Sequence, residues 1–183
     1  MKTKFPNYWS WFFKGTGGKA GIRRIVNKWI FFHLLIGVVM TILVQLDLQK
    51  TASAVLLPLA GIFVGLTFAW AGNAQALLRS DEMDKLSDYH GGGFTEYVFT
   101  YQTAILTTLV TLSCWGIAGL GIFDTLLPAH ANSRQYFVVK TALFTLSSLS
   151  FRECWHAVMG AQWMLLMQRE IKKRLDNTES GKK

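Results

Sequence analysis

The stretch Ala52 to Ala71, ASAVLLPLAGIFVGLTFAWA, decides the fold. It holds no charged residue over the roughly 20 positions that a helix needs to cross a hydrocarbon core about 30 Å thick. Three further segments are long enough and mostly apolar. One runs from about Trp29 to Leu46, one from about Tyr97 to Ile122, and one from about Tyr136 to Met167. The last exceeds one perpendicular crossing, so it must tilt or continue into the cytosol as a helix.

The whole composition agrees with these spans. Of 183 residues, 51% are apolar and 16% charged, against about 25% charge in soluble domains, and the mean hydropathy is +0.26. Aromatics at 14% exclude a disordered chain. The two cysteines, Cys114 and Cys154, lie inside apolar segments, which excludes a disulfide scaffold. No collagen pattern, charged heptad or solenoid period is present. The expected fold is therefore all-α: an integral membrane bundle of four transmembrane helices.

Lys and Arg near the span ends set the orientation. Lys2, Lys4, Lys14, Lys19, Arg23, Arg24 and Lys28 precede the first span with no acid among them, and Arg169, Lys172, Lys173, Arg174, Lys182 and Lys183 follow the fourth. The outer turns hold Lys50 and Arg134, with Lys140 just inside the fourth span. Both termini and the middle loop are expected in the cytoplasm of a bacterial inner membrane, with spans two and four extending beyond it. The organisation reads as a cytoplasmic aromatic and basic interfacial segment (1–28), a four-helix membrane domain (29–168) with a cytoplasmic loop (79–96), and a basic cytoplasmic tail (169–183). Ala52-Ser53-Ala54 has the form of a signal cleavage site, but the long charged lead and the extended apolar run favour an uncleaved anchor.

The net charge of +8 lies beside the membrane ends. It points to anionic inner-leaflet lipid rather than to direct contact with nucleic acid. The run FPNYWSWFF, Phe5 to Phe13, reads as an interfacial anchor. The small soluble part implies a separate cytoplasmic protein partner.

Several short motifs lack their chemical context. His90-Gly91-Gly92-Gly93 has no G-x-S-x-G elbow to serve, so Gly91, Gly92 and Gly93 read as a hinge. Gly15 to Lys19 lacks Walker spacing and reads as a flexible joint. Glu153-x-x-His156 has the spacing of a di-iron ligand pair without its second copy, and His33 with His156 would need further invented ligands to hold haem. The expected complement is no metal and no cofactor.

Two patterns survive. Gly61, Gly65 and Ala69 form a small-residue stripe on span two, either for packing within the bundle or for contact between subunits of a homo-oligomer. Span four carries Arg152 and Glu153, costly in lipid. Their Cβ directions differ by about 100°, so the sequence predicts that they do not neutralise each other, with His156 neighbouring both. By depth, His33, Asn73, Gln75, Gln102, Arg152, Glu153 and His156 are expected to collect in the inner half of the membrane, as a functional site or as a structural ion pair.

In size, span number and cytoplasm-weighted charge the chain resembles small four-span membrane subunits of bacterial phage-defence systems, such as that of the Kiwa system. That resemblance implies a membrane sensor or pore working with a soluble effector. Leu66 to Arg79, LTFAWAGNAQALLR, is also similar to the Phe, Asn and Arg pattern in the pore-lining helix of bestrophin-type anion channels, without their run of tryptophans and acids. The expectation is a non-enzymatic, oligomeric, channel-like or sensing subunit. The alternatives are a membrane enzyme or redox protein using the His, Glu and Arg cluster, and a structural tether.

Overall fold

The structure, a computed structural model, describes residues 7–15, 21–78, 93–126 and 134–180. Within these ranges the side chains of residues 24, 71, 73–78, 93–96, 124, 126, 171 and 175–180 are not described. Every regular element among the described residues is a helix: α1 (Tyr8–Lys14), α2 (Ile22–Ile25), α3 (Ile30–Leu43), α4 (Leu48–Leu78), α5 (Gly93–Gly119), α6 (Ile122–Leu126) and α7 (Arg134–Ser180). Two stretches, Leu48–Trp70 of α4 and Tyr97–Gly119 of α5, are long and apolar enough to cross a membrane.

α3 is shorter than its apolar sequence suggests. Its 14 residues rise roughly 21 Å, and the chain turns extended at Val44. The cause is on α7. Lys140, 5% exposed, donates from Nζ to the carbonyls of Val44 and Leu46 (2.7 Å to the latter), so a buried cation occupies the carbonyl end of α3. The next helix begins at once. Asp47 caps α4, its carboxylate accepting from the Lys50 amide at 2.7 Å, and its carbonyl accepts from the Thr51 amide and hydroxyl. Pro58 sits within α4, where the apolar run continues on both sides of it.

α7 is the axis of the fold. It packs against α3 on one side and α5 on the other, and α5 in turn carries α4, which touches α7 only slightly. At one end all of these meet around Leu48, Ala52, Trp115, Tyr136 and Phe144, with Val44 beside them. The Tyr136 hydroxyl accepts from the Leu48 amide at 2.7 Å, placing the starts of α4 and α7 level. At the other end Leu66, Tyr97, Tyr101, Ala157 and Met164 form a second core, capped by the Trp70 ring 5.0 Å from that of Tyr101.

The outer surface is far more apolar than that of a water-soluble protein, and polar groups are buried beside the apolar cores. Leu57, Phe68 and Phe31 are 80%, 75% and 72% exposed, while Thr100, Thr103, Thr108, Thr111, Thr141, Ser147, Ser150 and Glu153 are buried. Most of these hydroxyls donate to the carbonyl four residues earlier, as in Thr103 to Phe99 and Thr108 to Ala104. Such back-bonding is how Ser and Thr are satisfied inside an apolar helix.

Candidate functional site

The polar interior builds up from two stripes of α7. Thr141, Thr145, Ser148 and Arg152, spaced four, three and four residues apart, run along the side that meets α3. Gly37 marks the closest approach: a Cβ there would strike the Thr145 hydroxyl and lie 2.8 Å from the Thr141 carbonyl oxygen. One turn earlier on α3, His33 is buried and its Nδ1 hydrogen-bonds Ser148 Oγ at 2.7 Å. The second stripe, Ser147 and Ser150, meets α5. There the Trp115 indole donates to Ser147 at 2.8 Å, and Thr111 and Ser150 share a 2.7 Å hydroxyl contact.

Where the stripes converge sit Arg152 and Glu153, with side chains 12% and 2% exposed. Arg152 donates to Glu153 Oε1 from Nη2 at 2.6 Å and from Nε at 3.0 Å. This corrects the expectation that neighbours on a helix cannot pair. The Cβ directions do diverge, but the flexible Arg stem curls around the helix and brings its head back to the carboxylate. Nη2 also lies 3.4 Å from the carbonyl oxygen of Ile25, at the end of α2. Along α7 the pair lies roughly 25 Å from Tyr136 and 16 Å from Met164.

The N-terminal segment covers this pair. Trp11 is 4% exposed, with its ring 5.3 Å from that of Phe99 on α5 and its carbonyl accepting from the Gly21 amide. A Cβ on Gly21 would lie 2.5 Å from the Trp11 ring, so only glycine fits. Tyr8 reaches Thr103 Oγ1 at 3.2 Å. Since the Thr103 hydroxyl already donates to Phe99 at 2.7 Å, Tyr8 is the donor. Burial pushes the Tyr8 phenol above its ordinary range; the Thr103 hydrogen bond opposes the shift and nearby Glu153 reinforces it.

The structure thus brings together Arg152 and Glu153, with His33 held one turn along the same α7 stripe by Ser148. His156 is exposed on α7 and Gln102 is exposed on α5, so neither joins the buried group. α3 explains His156: it begins at Ile30, and the α7 stripe below that level loses its partner. Asn73 and Gln75 fall where side chains lie outside the described residues, as do Gly91 and Gly92; Gly93 is the first residue of α5. Gly61, Gly65 and Ala69 are exposed, and a Cβ on either glycine would meet no described atom within 4 Å, so these two glycines serve no packing among the described residues. With His33 turned inward and His156 outward, the two imidazoles do not face a common space. Among the described residues no three His, Cys, Asp or Glu side chains gather as metal ligands would.

Sequence reasoning missed Tyr8, Ile25, Thr103, Ser148 and the clamp at Lys140. A signal existed for the hydroxyls: Thr100, Thr103, Thr107 and Thr111 recur at helical spacing on α5, as do Thr141, Thr145 and Ser148 on α7. Chemically the site is a buried charge pair whose guanidinium also meets the Ile25 carbonyl, with its described donors and acceptors directed largely at one another.

The chain matches no family model, no curated protein and no solved structure.

Proposed function

We propose that this protein is a four-span subunit of a bacterial inner membrane, with both termini and the 79–96 loop in the cytoplasm. In this reading it is non-enzymatic, it oligomerises, and it senses the state of the membrane on behalf of a cytoplasmic protein partner, as the phage-defence subunits it resembles would. The exposed apolar surface carries the reading: large apolar side chains cover the outside, while hydroxyls and an ion pair are buried beside the apolar cores. In water so much exposed apolar surface would aggregate; in lipid it is the stable arrangement.

We favour sensing over conduction within a single copy because large side chains are packed inside it among the described residues. Trp115, Tyr101, Leu48 and Leu59 are all at most 2% exposed along its length. A channel-like role would need a path between copies. α7 supplies the coupling element. At 47 residues it extends roughly 70 Å, more than twice the hydrocarbon thickness, and it links the buried ion pair to the exposed Arg169, Lys172, Lys173 and Arg174.

Membrane-impermeant thiol labelling of single-cysteine variants in cells tests the topology. Ser180→Cys and Asp88→Cys should react only after the inner membrane is opened, and Ala131→Cys should react in intact spheroplasts. Labelling of Asp88→Cys from outside would overturn the reading.

A further inference from the structure

The described stretches leading to α3, residues 7–15 and 21–29, have two faces with different tasks. Their inner face is committed to the bundle: Tyr8 to Thr103, Trp11 in the Gly21 cradle against Phe99, and the Ile25 carbonyl to Arg152. Their outer face is aromatic and basic. Trp9, Phe13 and Trp29 are 54%, 60% and 64% exposed, and Lys14, Arg23 and Lys28 are exposed among them, with no acid in the segment to offset their charge. An anchor that only tethered the chain would need the outer face alone. Here the same few residues also close over a buried ion pair.

We propose that this strap reads the anionic lipid surface: lipid phosphates bound by its outer face hold it down over Arg152 and Glu153, and loss of that surface charge releases it. The inference rests on the membrane reading above and adds the ligand class and the element that responds to it. The occupant follows from chemistry. Indole and phenyl rings beside lysine and arginine suit the headgroup layer, where rings lie at the interface and cations meet phosphate. A short helix of seven residues has little helical stability of its own. Its position therefore depends on what binds each face, and a ligand favouring the closed position shifts the population toward it. Three basic side chains near a charged surface suffice for a shift of about tenfold or more.

The test uses the full chain in vesicles, spin-labelled at Ser10 on α1 and Gln102 on α5, both exposed, with Cys114 and Cys154 replaced by Ala. In vesicles containing phosphatidylglycerol, pulsed dipolar spectroscopy should give one short distance. In pure phosphatidylcholine a second, longer population should appear, raising the open-to-closed ratio about tenfold. Gly21→Ala, which displaces the Trp11 ring, should show the longer population in both. Lys14→Gln, Arg23→Gln and Lys28→Gln combined touch no buried contact and should erase the lipid dependence. One short distance in both lipids would make the strap a fixed part of the bundle. Two distances in equal proportion in both lipids would remove the lipid as ligand. Either result overturns the inference while leaving the topology reading to its own labelling test; failure to enter vesicles at all would sink both.

Discussion

Arg152 and Glu153 are neighbours in sequence and also form the one buried ion pair among the described residues, 2.6 Å apart between Nη2 and Oε1. Two charges sharing one helical turn need no partner helix to find each other. α7 therefore carries its own neutralisation into the bundle, and what its neighbours supply is cover and orientation. The Ile25 carbonyl meets the guanidinium, and the same N-terminal segment is fixed to α5 by the Tyr8–Thr103 contact.

This pairing gives an asymmetric mutational pattern. Glu153→Gln or Arg152→Gln alone leaves one charge buried without its counter-charge and should lower stability by about 3–5 kcal/mol, read as a drop in the thermal midpoint of the purified protein in mild detergent. The double neutral variant should recover most of that loss. Recovery of assembly without recovery of activity assigns the charges a functional role; recovery of both assigns them a structural one. Unchanged midpoints in both single variants would contradict the pairing.

A second clamp lies about 18 Å away along α7, near its start. Lys140→Met keeps the apolar stem and removes the donor to the Val44 and Leu46 carbonyls. Charged hydrogen bonds of this kind are worth about 1.5–3 kcal/mol, so the variant should unfold at lower temperature. Hydrogen exchange should show increased opening of the 40–47 segment, with the Tyr97 end of the bundle unaffected. Uniform loosening along the molecule would show that Lys140 does not act on the end of α3.

How much of this was legible beforehand depends on the range of the interaction. The α4 run from Leu48 to Trp70 is a local property of composition and is readable at sight. The Arg152–Glu153 contact was misread because residue spacing describes Cβ directions, whereas a long side chain can bring its head back. His156 was assigned to the cluster on spacing along α7, but its exposure follows from where α3 starts, which only packing defines. Tyr8 meets Thr103 across 95 positions, and no periodicity encodes such a pairing. The small stripe was visible in the sequence; that its glycines serve no packing among the described residues was not.

The cap at Asp47 predicts a pH response confined to the α3–α4 turn. The hydrogen bond from the Lys50 amide holds the Asp47 carboxyl below its ordinary range against opposing desolvation, with the Lys50 ammonium 3.2 Å away and Lys140 adding to the effect. With the folded pKa depressed, the unfolded chain takes up the proton first. The contribution is fully present above the ordinary value and is lost as pH falls through the folded one. Below about pH 4, hydrogen exchange of the first turn of α4 should rise in the wild type. Asp47→Asn keeps an oxygen acceptor for the cap and should show little of this dependence.

The glycines separate contacts within one copy from contacts between copies. At Gly37 an added methyl meets Thr145 and the Thr141 backbone, so Gly37→Ala should push α3 from α7 and cost about 1–3 kcal/mol. At Gly61 and Gly65 a Cβ meets no described atom within 4 Å, and the α4 span buries only 17% of its most apolar window inside the chain. Alanine at either position should leave the stability of a single copy unchanged or slightly raised, as glycine is the poorer helix former. If the stripe joins subunits, Gly61→Leu and Gly65→Leu will lower the oligomer mass measured by light scattering in detergent while preserving helical content. Leu at these positions with the mass unchanged would remove this face of α4 as a contact between subunits.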